Sequence, residues 1–517
     1  MLQIKNVTIT HKRNLRTIIE NFSYVLNPGD KTVIIGEEGN GKSTLLKLIY
    51  DPSLVEDYVD YTGEIIKDNM NLGYLAQEMD RNLFDKSILE YCEQIPGFYQ
   101  LSQGELFEAA KAIGRPVDWF YSPQKTGTLS GGEKVKLQLA GLLFSHPDAL
   151  LLDEPSNDID IATLEWLESF IREFPNPVLF ISHDETLIEN TANAVIHLEQ
   201  LRRKTLSSYT VANVPYAQYI RERENRMAHQ EQVARKEEAE YQKQMERYRQ
   251  IYEKVDHQLN TITRANPSGG RLLKKKMKSV KSMGRRFERE HEGQTQIPDT
   301  EEAIFAAFDR AVSIPQGKVV LDFHLDELAV PDNVQGERIL ARNIELFLAG
   351  PKKICIVGDN GAGKSTLLRQ IAHKLLERTD IHAAYMPQNY EDLLNPAQTP
   401  VEFFVRTGER EERTRIQTFL GSLKFTPEEM EHPIGGLSGG QKAKLLFLNM
   451  IFEGANVLVL DEPTRNFSPL SNPVIRKVLK EFGGAVIGVS HDRKFIGEVC
   501  DECFALDGSG LRKMNQA

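Results

Sequence analysis

Four short motifs occur twice in this 517-residue chain, in the same order. The first set lies at 36–44, 129–133, 152–155 and 182–184, and the second at 358–366, 437–441, 460–463 and 490–492. The last three motifs recur after 308 residues, whereas the Gly-rich first motif recurs after 322. A repeat of this kind indicates two copies of one domain. The first copy therefore carries 14 extra residues, which we assign to a small surface insertion around 51–60.

Each Gly-rich motif lies between an apolar run and the sequence Ser-Thr-Leu-Leu. Thr32–Ile35 and Ile354–Val357 are the runs, and they predict buried parallel strands. A strand, a Gly-rich loop and a helix form the phosphate-binding P-loop, in which backbone N–H groups and the helix N-terminus hold the phosphates of ATP. The predicted ATP-binding residues here are Gly36, Gly39, Asn40, Gly41, Lys42, Ser43 and Thr44, and Gly358, Gly361, Ala362, Gly363, Lys364, Ser365 and Thr366. In each loop the lysine is predicted to contact the β- and γ-phosphates, and the serine after it to ligate Mg²⁺.

A second pair of apolar runs ends in Asp153-Glu154 and in Asp461-Glu462. Loop groups at the carboxyl end of a parallel strand face the ligand crevice of an α/β sheet. Each aspartate is therefore predicted to hold Mg²⁺, directly or through water, and each glutamate to polarise the attacking water.

Two histidines, His183 and His491, follow further apolar runs about 30 residues downstream. A neutral imidazole at that position can bond the γ-phosphate and sense its loss. Gln77 and Gln388 lie between the other motifs and are predicted to contact both the metal and the water. Alone, any of these four side chains would be an ordinary structural or surface residue.

The remaining motif is Leu-Ser-Gly-Gly followed by Glu or Gln. Its predicted ATP-binding residues are Ser130, Gly131 and Gly132, and Ser438, Gly439 and Gly440. Serine before Gly-Gly and a helical pattern predicts a helix N-cap. In combination with the P-loops and the Leu-Asp-Glu-Pro strands, this motif resembles the ATP-binding cassette superfamily. The resemblance implies two cassettes paired head to tail, so that the Ser-Gly-Gly of one copy covers the γ-phosphate bound by the other.

The segment between the copies has heptad spacing. Apolar and aromatic residues occur at Tyr241, Met245, Tyr248, Tyr252, Val255, Leu259 and Ile262, and again at Leu273, Met277, Val280, Gly284 and Phe287. The breakers Asn-Pro and Gly-Gly separate these runs. We therefore predict a helical hairpin with its tip at about 263–270.

Charge is concentrated at one end of this hairpin. Residues 261–290 carry a net charge of +8, which leaves −19 for the rest of a chain whose total is −11. A basic segment on an acidic body predicts contact with a phosphate backbone. The candidate RNA-binding residues are Arg264, Arg271, Lys274, Lys275, Lys276, Lys278 and Lys281. The alternative is a helix that is merely solvated.

The chain has no signal-peptide pattern at its start and no apolar run of the length that crosses a bilayer. We therefore expect a cytoplasmic protein without its own membrane domain. The four cysteines, with one Cys-x-x-C at Cys500 and Cys503, are expected to be reduced thiols.

Paired cassettes joined by a charged helical linker resemble the ABC-F family of translation factors. The segment Asp461–Ser471 resembles the antibiotic-resistance members. The resemblance implies a monomer in which the cassettes pair within one chain. It also implies binding to the E site of the 70S ribosome, contact of the linker with P-site tRNA and 23S rRNA, and ribosome protection against lincosamides, streptogramin A and pleuromutilins. Ser468 stands where cassettes usually have Asp, so the two ATP sites are expected to be coupled asymmetrically.

The expected fold is therefore α/β, with P-loop cassettes at 1–212 and 304–517 and a helical linker at 213–303. The expected activity is ATP hydrolysis. A general translation factor, the energising subunit of a transporter with separate membrane partners, and a DNA-associated ATPase remain alternatives.

Overall fold

The computed structural model describes residues 1–13, 15–201, 206–261, 267–292, 313–332 and 336–514. One compact unit consists of Met1–Tyr216 together with Glu301–Ala517, and a second consists of Ala217–Thr300. Both cassettes thus belong to the first unit. The second unit corresponds to most of the predicted linker.

The first cassette is built on a sheet with the strand order β5-β6-β7-β3-β8-β9 among the described residues. Its elements are β1 (Leu2–His11), β2 (Thr17–Leu26), β3 (Lys31–Ile35), α1 (Lys42–Tyr50), β4 (Val59–Ile66), β5 (Leu72–Leu75), α2 (Ile88–Glu93), α3 (Gln103–Ala112), α4 (Gly131–Leu143), β6 (Ala149–Asp153), α5 (Ile161–Glu173), β7 (Val178–Ile181), α6 (Glu185–Thr191), β8 (Ala194–Leu201) and β9 (Leu206–Ala212). Neighbouring strands are parallel up to β8, and β9 is antiparallel to it. Strands β3, β6 and β7 are buried throughout, as their continuous apolar sequences predicted.

The second cassette repeats this architecture. After the linker helices α7 (Tyr216–Thr261) and α8 (Pro267–Glu292), its elements are β10 (Val319–Asp332), β11 (Gly336–Ala349), β12 (Lys353–Val357), α9 (Lys364–Leu376), β13 (Ala383–Met386), α10 (Pro400–Phe404), α11 (Arg410–Ser422), α12 (Pro427–Glu431), α13 (Gly439–Phe452), β14 (Val457–Asp461), α14 (Asn472–Glu481), β15 (Ala485–Val489), α15 (Arg493–Val499), β16 (Glu502–Asp507) and β17 (Gly510–Met514). Its sheet has the order β13-β14-β15-β12-β16-β17, which is the same strand arrangement. The predicted α/β class is confirmed for both copies.

The extra residues of the first copy are more than a surface insertion. They contribute to β4, which pairs with β1 and extends the β2-β1 pair to three strands. Val55 and Val59, at 0% and 1% exposure, anchor this segment in the core. The described part of the second cassette pairs only β10 with β11 at the equivalent place.

The linker forms the predicted hairpin of helices. Tyr241 stacks on His291 with ring centroids 3.9 Å apart, and Val255 packs with Met277 and Val280. These contacts pair earlier residues of α7 with later residues of α8, so the helices are antiparallel. The tip differs from the prediction, because α8 begins at Pro267 and the breaker segment Pro267–Gly270 forms its first turn. Proline at the first helical position loses no hydrogen bond, which explains the difference. The expected tip residues 262–266, with Ile262 and Arg264, lie outside the described residues.

The helices approach most closely at Gly284. A Cβ atom there would lie 2.7 Å from the Tyr248 ring. We expect Gly284→Val to lower the free energy of unfolding of the hairpin by about 1–3 kcal/mol, because the added methyl groups overpack the contact. Hydrogen exchange of the α7 and α8 amides measures this loss. Gly270→Ala is the matched control, since nothing lies within 4 Å of its added Cβ. Equal protection in the Val and Ala variants would contradict the close contact.

No described helix is long and apolar enough to cross a membrane. Cys92, Cys355, Cys500 and Cys503 are buried, and none of these four described residues is in a disulfide.

Candidate functional site

Both P-loops adopt the backbone that the glycines were predicted to allow. Gly36 has φ 148° and Gly358 has φ 153°. Added Cβ atoms would lie 2.3 Å from the Leu198 carbonyl oxygen and 2.6 Å from that of Leu506, so only glycine fits at either position. Each loop leads into α1 or α9, whose first residue is the predicted phosphate-binding lysine.

Each of these lysines donates hydrogen bonds to backbone carbonyls of its own P-loop. Lys42 Nζ donates to the Gly36 and Glu37 carbonyls at 2.8 and 3.0 Å, and Lys364 Nζ makes the equivalent bonds in the second loop at 2.8 and 2.9 Å. Burial lowers the pKa of both ammonium groups, and nearby carboxylates raise it in part. The side chain of Asn40 donates to the Leu198 carbonyl at 3.0 Å. The backbone N–H of Asn40 donates to the Glu37 carbonyl at 3.3 Å, so both groups of this residue are bonded within the cassette.

In the first cassette a hydrogen-bonded group surrounds Glu154. Gln77 and Asn157 donate to its Oε2 at 3.1 and 2.6 Å. His183 Nε2 lies 3.2 Å from Oε1. Burial raises the pKa of Glu154, but the hydrogen bond to His183 and the charges of His183 and Lys42 outweigh it and hold the pKa at about 2. This carboxylate is ionised and fixed in position, as orientation of a water molecule requires.

The second cassette holds Glu462 differently. The backbone N–H of His491 donates to its Oε2 at 3.2 Å, and the Ser490 hydroxyl lies at 3.4 Å. Burial raises its pKa to about 8, although the His491 N–H lowers it in part. Burial also lowers the pKa of His491 to about 4, so this imidazole is neutral. The two glutamates thus carry the same motif in different surroundings.

Both glutamates have left-handed backbones, with φ 50° at Glu154 and 51° at Glu462. Non-glycine residues adopt this conformation at a cost of about 1–3 kcal/mol, and it is concentrated at functional sites. The backbone N–H of each glutamate donates to the end of the neighbouring strand, to Ile181 at 3.1 Å and to Val489 at 2.9 Å. These bonds hold the strained residues at the sheet edge.

Oxygen atoms beside each P-loop suit a divalent cation. Asp153 accepts from Ser43 at 2.8 Å and from Tyr74 at 3.2 Å. In the second cassette, Asp461 Oδ1 is buried without a hydrogen-bond partner among the described residues. Burial raises the pKa of both aspartates. An unsatisfied carboxylate oxygen beside a serine hydroxyl fits the hard ligands that Mg²⁺ prefers.

The Leu-Ser-Gly-Gly motifs cap helices as predicted. Ser130 and Ser438 form capping boxes with Glu133 and Gln441 at the starts of α4 and α13. The first motif faces the second P-loop across a cavity of about 820 Å³. The predicted residues that line this cavity are Ser130, Gly131, Gly361, Gly363, Lys364, Ser365, Thr366, Gln388, Asp461, Glu462 and His491, together with His183, which was predicted for the other site. The cavity thus brings together groups from both cassettes, and Asn360 Nδ2 spans it to the Asp158 carbonyl at 2.6 Å.

The other pairing, between the first P-loop and the second motif, is closed more tightly. Its contact region encloses a cavity of about 30 Å³. Glu38 Oε2 accepts the Gly440 N–H at 2.7 Å, and Glu37 pairs with Lys424 at 3.1 Å. His183 Nδ1 donates to the Phe467 carbonyl at 2.8 Å. A carboxylate thus occupies the N-terminus of α13, where the dipole of the helix favours an anion.

We expect Glu38→Asn to tighten ATP binding at the first P-loop by about two- to fivefold, because the carboxylate no longer competes with the nucleotide for the α13 N-terminus. Nucleotide titration in a Lys364→Ala background, which weakens the second site, measures the change. The reciprocal Asn360→Glu, at the equivalent position of the second loop, should weaken binding there. If Glu38→Asn left the first site unchanged or weakened it, competition by Glu38 would be excluded.

The described candidate RNA-binding residues lie on α8. Arg271, Lys274, Lys275, Lys276, Lys278 and Lys281 are all exposed. The buried positions Met277 and Val280 lie between them and face α7. The cationic side chains thus occupy the solvent side of this helix.

Sequence reasoning did not assign roles to several residues that shape the two sites. Asn157, Asp158 and Tyr74 lie in or beside motifs that were recognised, so their positions were a usable signal. Glu38 bonds Gly440 across the contact between the cassettes, and Lys424 pairs with Glu37; these partners lie 402 and 387 positions apart in the sequence, so no local pattern connects them.

Comparison of the sequence with known families identifies one that matches. The family model described as ABC transporter matches residues 19–157 and 341–465, about half of the chain. The chain belongs to the ATP-binding cassette (ABC) family. It is an ATPase with two ABC domains, and the matched segments contain both P-loops and both Asp-Glu pairs.

Relatives confirm the predicted resemblance to ABC-F proteins. The ATP-binding protein Uup of Buchnera aphidicola is 26% identical over 99% of this chain and 81% of its own length. The ribosome protection protein VmlR of Bacillus subtilis is 27% identical over 99% of this chain and 88% of its own length. ATP-binding cassette sub-family F member 3 of Pongo abelii is 28% identical over 94% of this ABC protein and 68% of its own length.

Solved structures show the same paired-cassette fold. The archaeal ribosome recycling factor aABCE1, solved with the ribosomal stalk protein aP1, has a TM-score of 0.56 and 15% identity, and covers 98% of this chain and 90% of its own. At this identity the likeness concerns the fold alone.

Proposed function

We propose that this ABC ATPase binds the E site of the 70S ribosome and acts through its linker on P-site tRNA and on 23S rRNA near the peptidyl-transferase centre. Support comes from VmlR, a relative named as a ribosome protection protein that matches almost the whole chain. The observation that carries the proposal is the row of exposed cations on α8, on a chain whose net charge is −11. Six cations on one helix suit a phosphate backbone, which an acidic body would otherwise repel.

ATP and Mg²⁺ supply the switch in this proposal. Each P-loop lysine and the glycines around it bind the phosphates, while Ser43 and Asp153, or Ser365 and Asp461, hold Mg²⁺. Gln77 and Gln388 orient the water beside the metal. Mg²⁺ neutralises charge on the transferred phosphoryl group. Glu154 and Glu462 polarise the water, and His183 and His491 bond the γ-phosphate.

A chain of contacts connects the first nucleotide site to the start of the linker. His183 bonds the Phe467 carbonyl, and Tyr216, the first residue of α7, donates to the Pro469 carbonyl at 3.3 Å. Tyr216 is 2% exposed, so this bond is protected from water. Loss of the γ-phosphate at His183 would thus shift the segment that holds the α7 N-terminus. We propose that cassette closure fixes the linker for docking and that hydrolysis releases it.

Within this function we propose ribosome protection against lincosamides, streptogramin A and pleuromutilins. The second-cassette segment Asp461–Ser471 supports it, because it resembles the resistance members of the family. Rescue of stalled ribosomes without a drug is the other outcome of the test.

The test is co-sedimentation of the full chain with 70S ribosomes in sucrose gradients, with and without ATP and Mg²⁺. The proposal predicts ATP-dependent association that RNase abolishes and DNase leaves intact. Association with membranes, or sensitivity to DNase alone, would overturn it. Sequencing of the bound RNA and the drug sensitivity of a deletion strain separate protection from general rescue.

A further inference from the structure

Beside the nucleotide sites, two ion pairs connect the cassettes. Arg476 on α14 donates hydrogen bonds to both carboxylate oxygens of Glu185 on α6, from Nη1 at 2.6 Å and from Nη2 at 3.1 Å. Arg493 on α15 bonds Glu168 on α5 and lies 3.5 Å from Asp184. We refer to Glu168, Glu185, Arg476 and Arg493 as the quartet.

The four residues of the quartet are related to one another by the internal repeat of the chain. The 308-residue offset carries Glu168 onto Arg476 and Glu185 onto Arg493. The pair Arg493–Glu168 and the pair Arg476–Glu185 are therefore the same contact seen from the two cassettes. At both positions the first cassette supplies the acid and the second supplies the base.

The surroundings of the quartet follow the same repeat. Asp184 corresponds to Asp492, and each lies beside one of the pairs. Lys494 adds a further cation from the second cassette, 3.2 Å from Glu185 and 2.6 Å from Glu189. Charge is thus separated between the cassettes at the quartet and at Lys494, whereas Asp492 and Glu498 are acids that the second cassette itself places beside the pairs.

Three of the four charged side chains of the quartet are buried, so each needs a partner of opposite charge. Glu168, Glu185 and Arg476 are 7%, 6% and 3% exposed. A charge removed from water and left without its partner is strongly destabilising, and two like charges in contact are worse. If two first cassettes met in this geometry, glutamate would face glutamate in both pairs. Two second cassettes would bring arginine against arginine.

We propose that the quartet is a selectivity device for cassette pairing: it makes each first cassette accept only a second cassette, and it prevents two like cassettes of different chains from closing on each other. The P-loops and Leu-Ser-Gly-Gly motifs cannot make this choice, because both cassettes carry both motifs.

Four full-length chains test the device without ribosomes. All carry Glu498→Gln, Asp184→Asn and Lys494→Gln. Glu498 lies 2.9 Å from Arg476 and Asp184 lies 3.5 Å from Arg493, so each would repel a glutamate placed there, and Lys494, 3.2 Å from Glu185, would repel an arginine at that position. One chain has no further change and is the reference. The all-basic chain adds Glu168→Arg and Glu185→Arg, the all-acidic chain adds Arg476→Glu and Arg493→Glu, and the reversed chain adds all four.

We expect the all-basic and all-acidic chains each to lose at least about tenfold in ATPase rate, because like charges oppose closure. The reversed chain should recover most of the reference rate, since the repeat places its pairs in the same geometry. An equimolar mixture of the all-basic and all-acidic chains should also recover activity. Its mass by light scattering should be that of two chains, because every cassette then finds its complement only on the other chain.

Failure of the reversed chain and of the mixture to exceed the one-sided chains, with all four folded by circular dichroism, would overturn the proposal. Should a two-site chain fail to fold, the cycle Glu185→Arg, Arg476→Glu and both together makes the same comparison on one pair. Recovery in the double variant supports selection by charge, and additive losses refute it.

Discussion

Replacing Glu154 and Glu462 together by glutamine should lower the rate of ATP hydrolysis by at least ~10²-fold, since a positioned base contributes about 10²–10⁴-fold. ATP binding should persist, because the P-loop lysines and glycines are unchanged. The protein would then stay closed, and it should accumulate on 70S ribosomes in the presence of ATP. Steady-state phosphate release and gradient sedimentation measure the two effects.

A matched control uses Glu173→Gln with Glu481→Gln. These exposed glutamates end α5 and α14 and are related by the same 308-residue repeat, so they remove equal charge from equivalent places. They should leave both measurements unchanged. Normal hydrolysis by the Glu154/Glu462 variant would contradict the assigned role in catalysis. Loss of hydrolysis and retained ATP binding without ribosome accumulation would contradict the ribosome proposal.

Neutralising the exposed cations of α8 should lower ribosome affinity at least ~10²-fold. The variant changes Arg271, Lys274, Lys275, Lys276, Lys278 and Lys281 to glutamine. Each phosphate contact releases a counterion when the protein binds. Losing six contacts should therefore make the slope of log affinity against log salt shallower by about four to five units. ATP hydrolysis without ribosomes should stay normal. Filter binding of the Glu154/Glu462 variant at several salt concentrations gives both quantities.

The control for this variant changes six exposed cations of α7 instead. These are Arg221, Arg226, Lys236, Lys243, Arg247 and Lys254. Because α7 residues 221–260 carry nine acidic and nine basic residues, this helix does not present a concentrated cationic surface. Equal losses in the two variants would show that net charge, rather than the α8 surface, sets the affinity.

The local structure of the two P-loops could be predicted from the sequence because it is encoded in contiguous motifs. Glycine at Gly36, an apolar strand before it and Lys42 after it specify a local structure that depends little on the rest of the fold. The heptad spacing from Tyr241 to Leu259 likewise specified α7 by its own periodicity. Motifs of this kind encode local geometry.

Features that depend on distant contacts were not predictable. The insertion proved to build β4 because Val55 and Val59 find space in the core, which composition does not reveal. The bond from Glu38 to Gly440 exists only because two cassettes meet. The glutamates carry identical motifs, yet the pKa of Glu154 lies far below that of Glu462, since burial and neighbours decide it.

The bond between Tyr216 and Pro469 fixes one end of a lever arm. Helix α7 has 46 residues, and at about 1.5 Å per residue it extends some 70 Å from that point. A tilt of about 10° at the Tyr216 end of a helix of that length would move its opposite end by roughly 12 Å. In the proposed mechanism, a movement of ångström size beside a nucleotide would be amplified in this way at the far end of the linker.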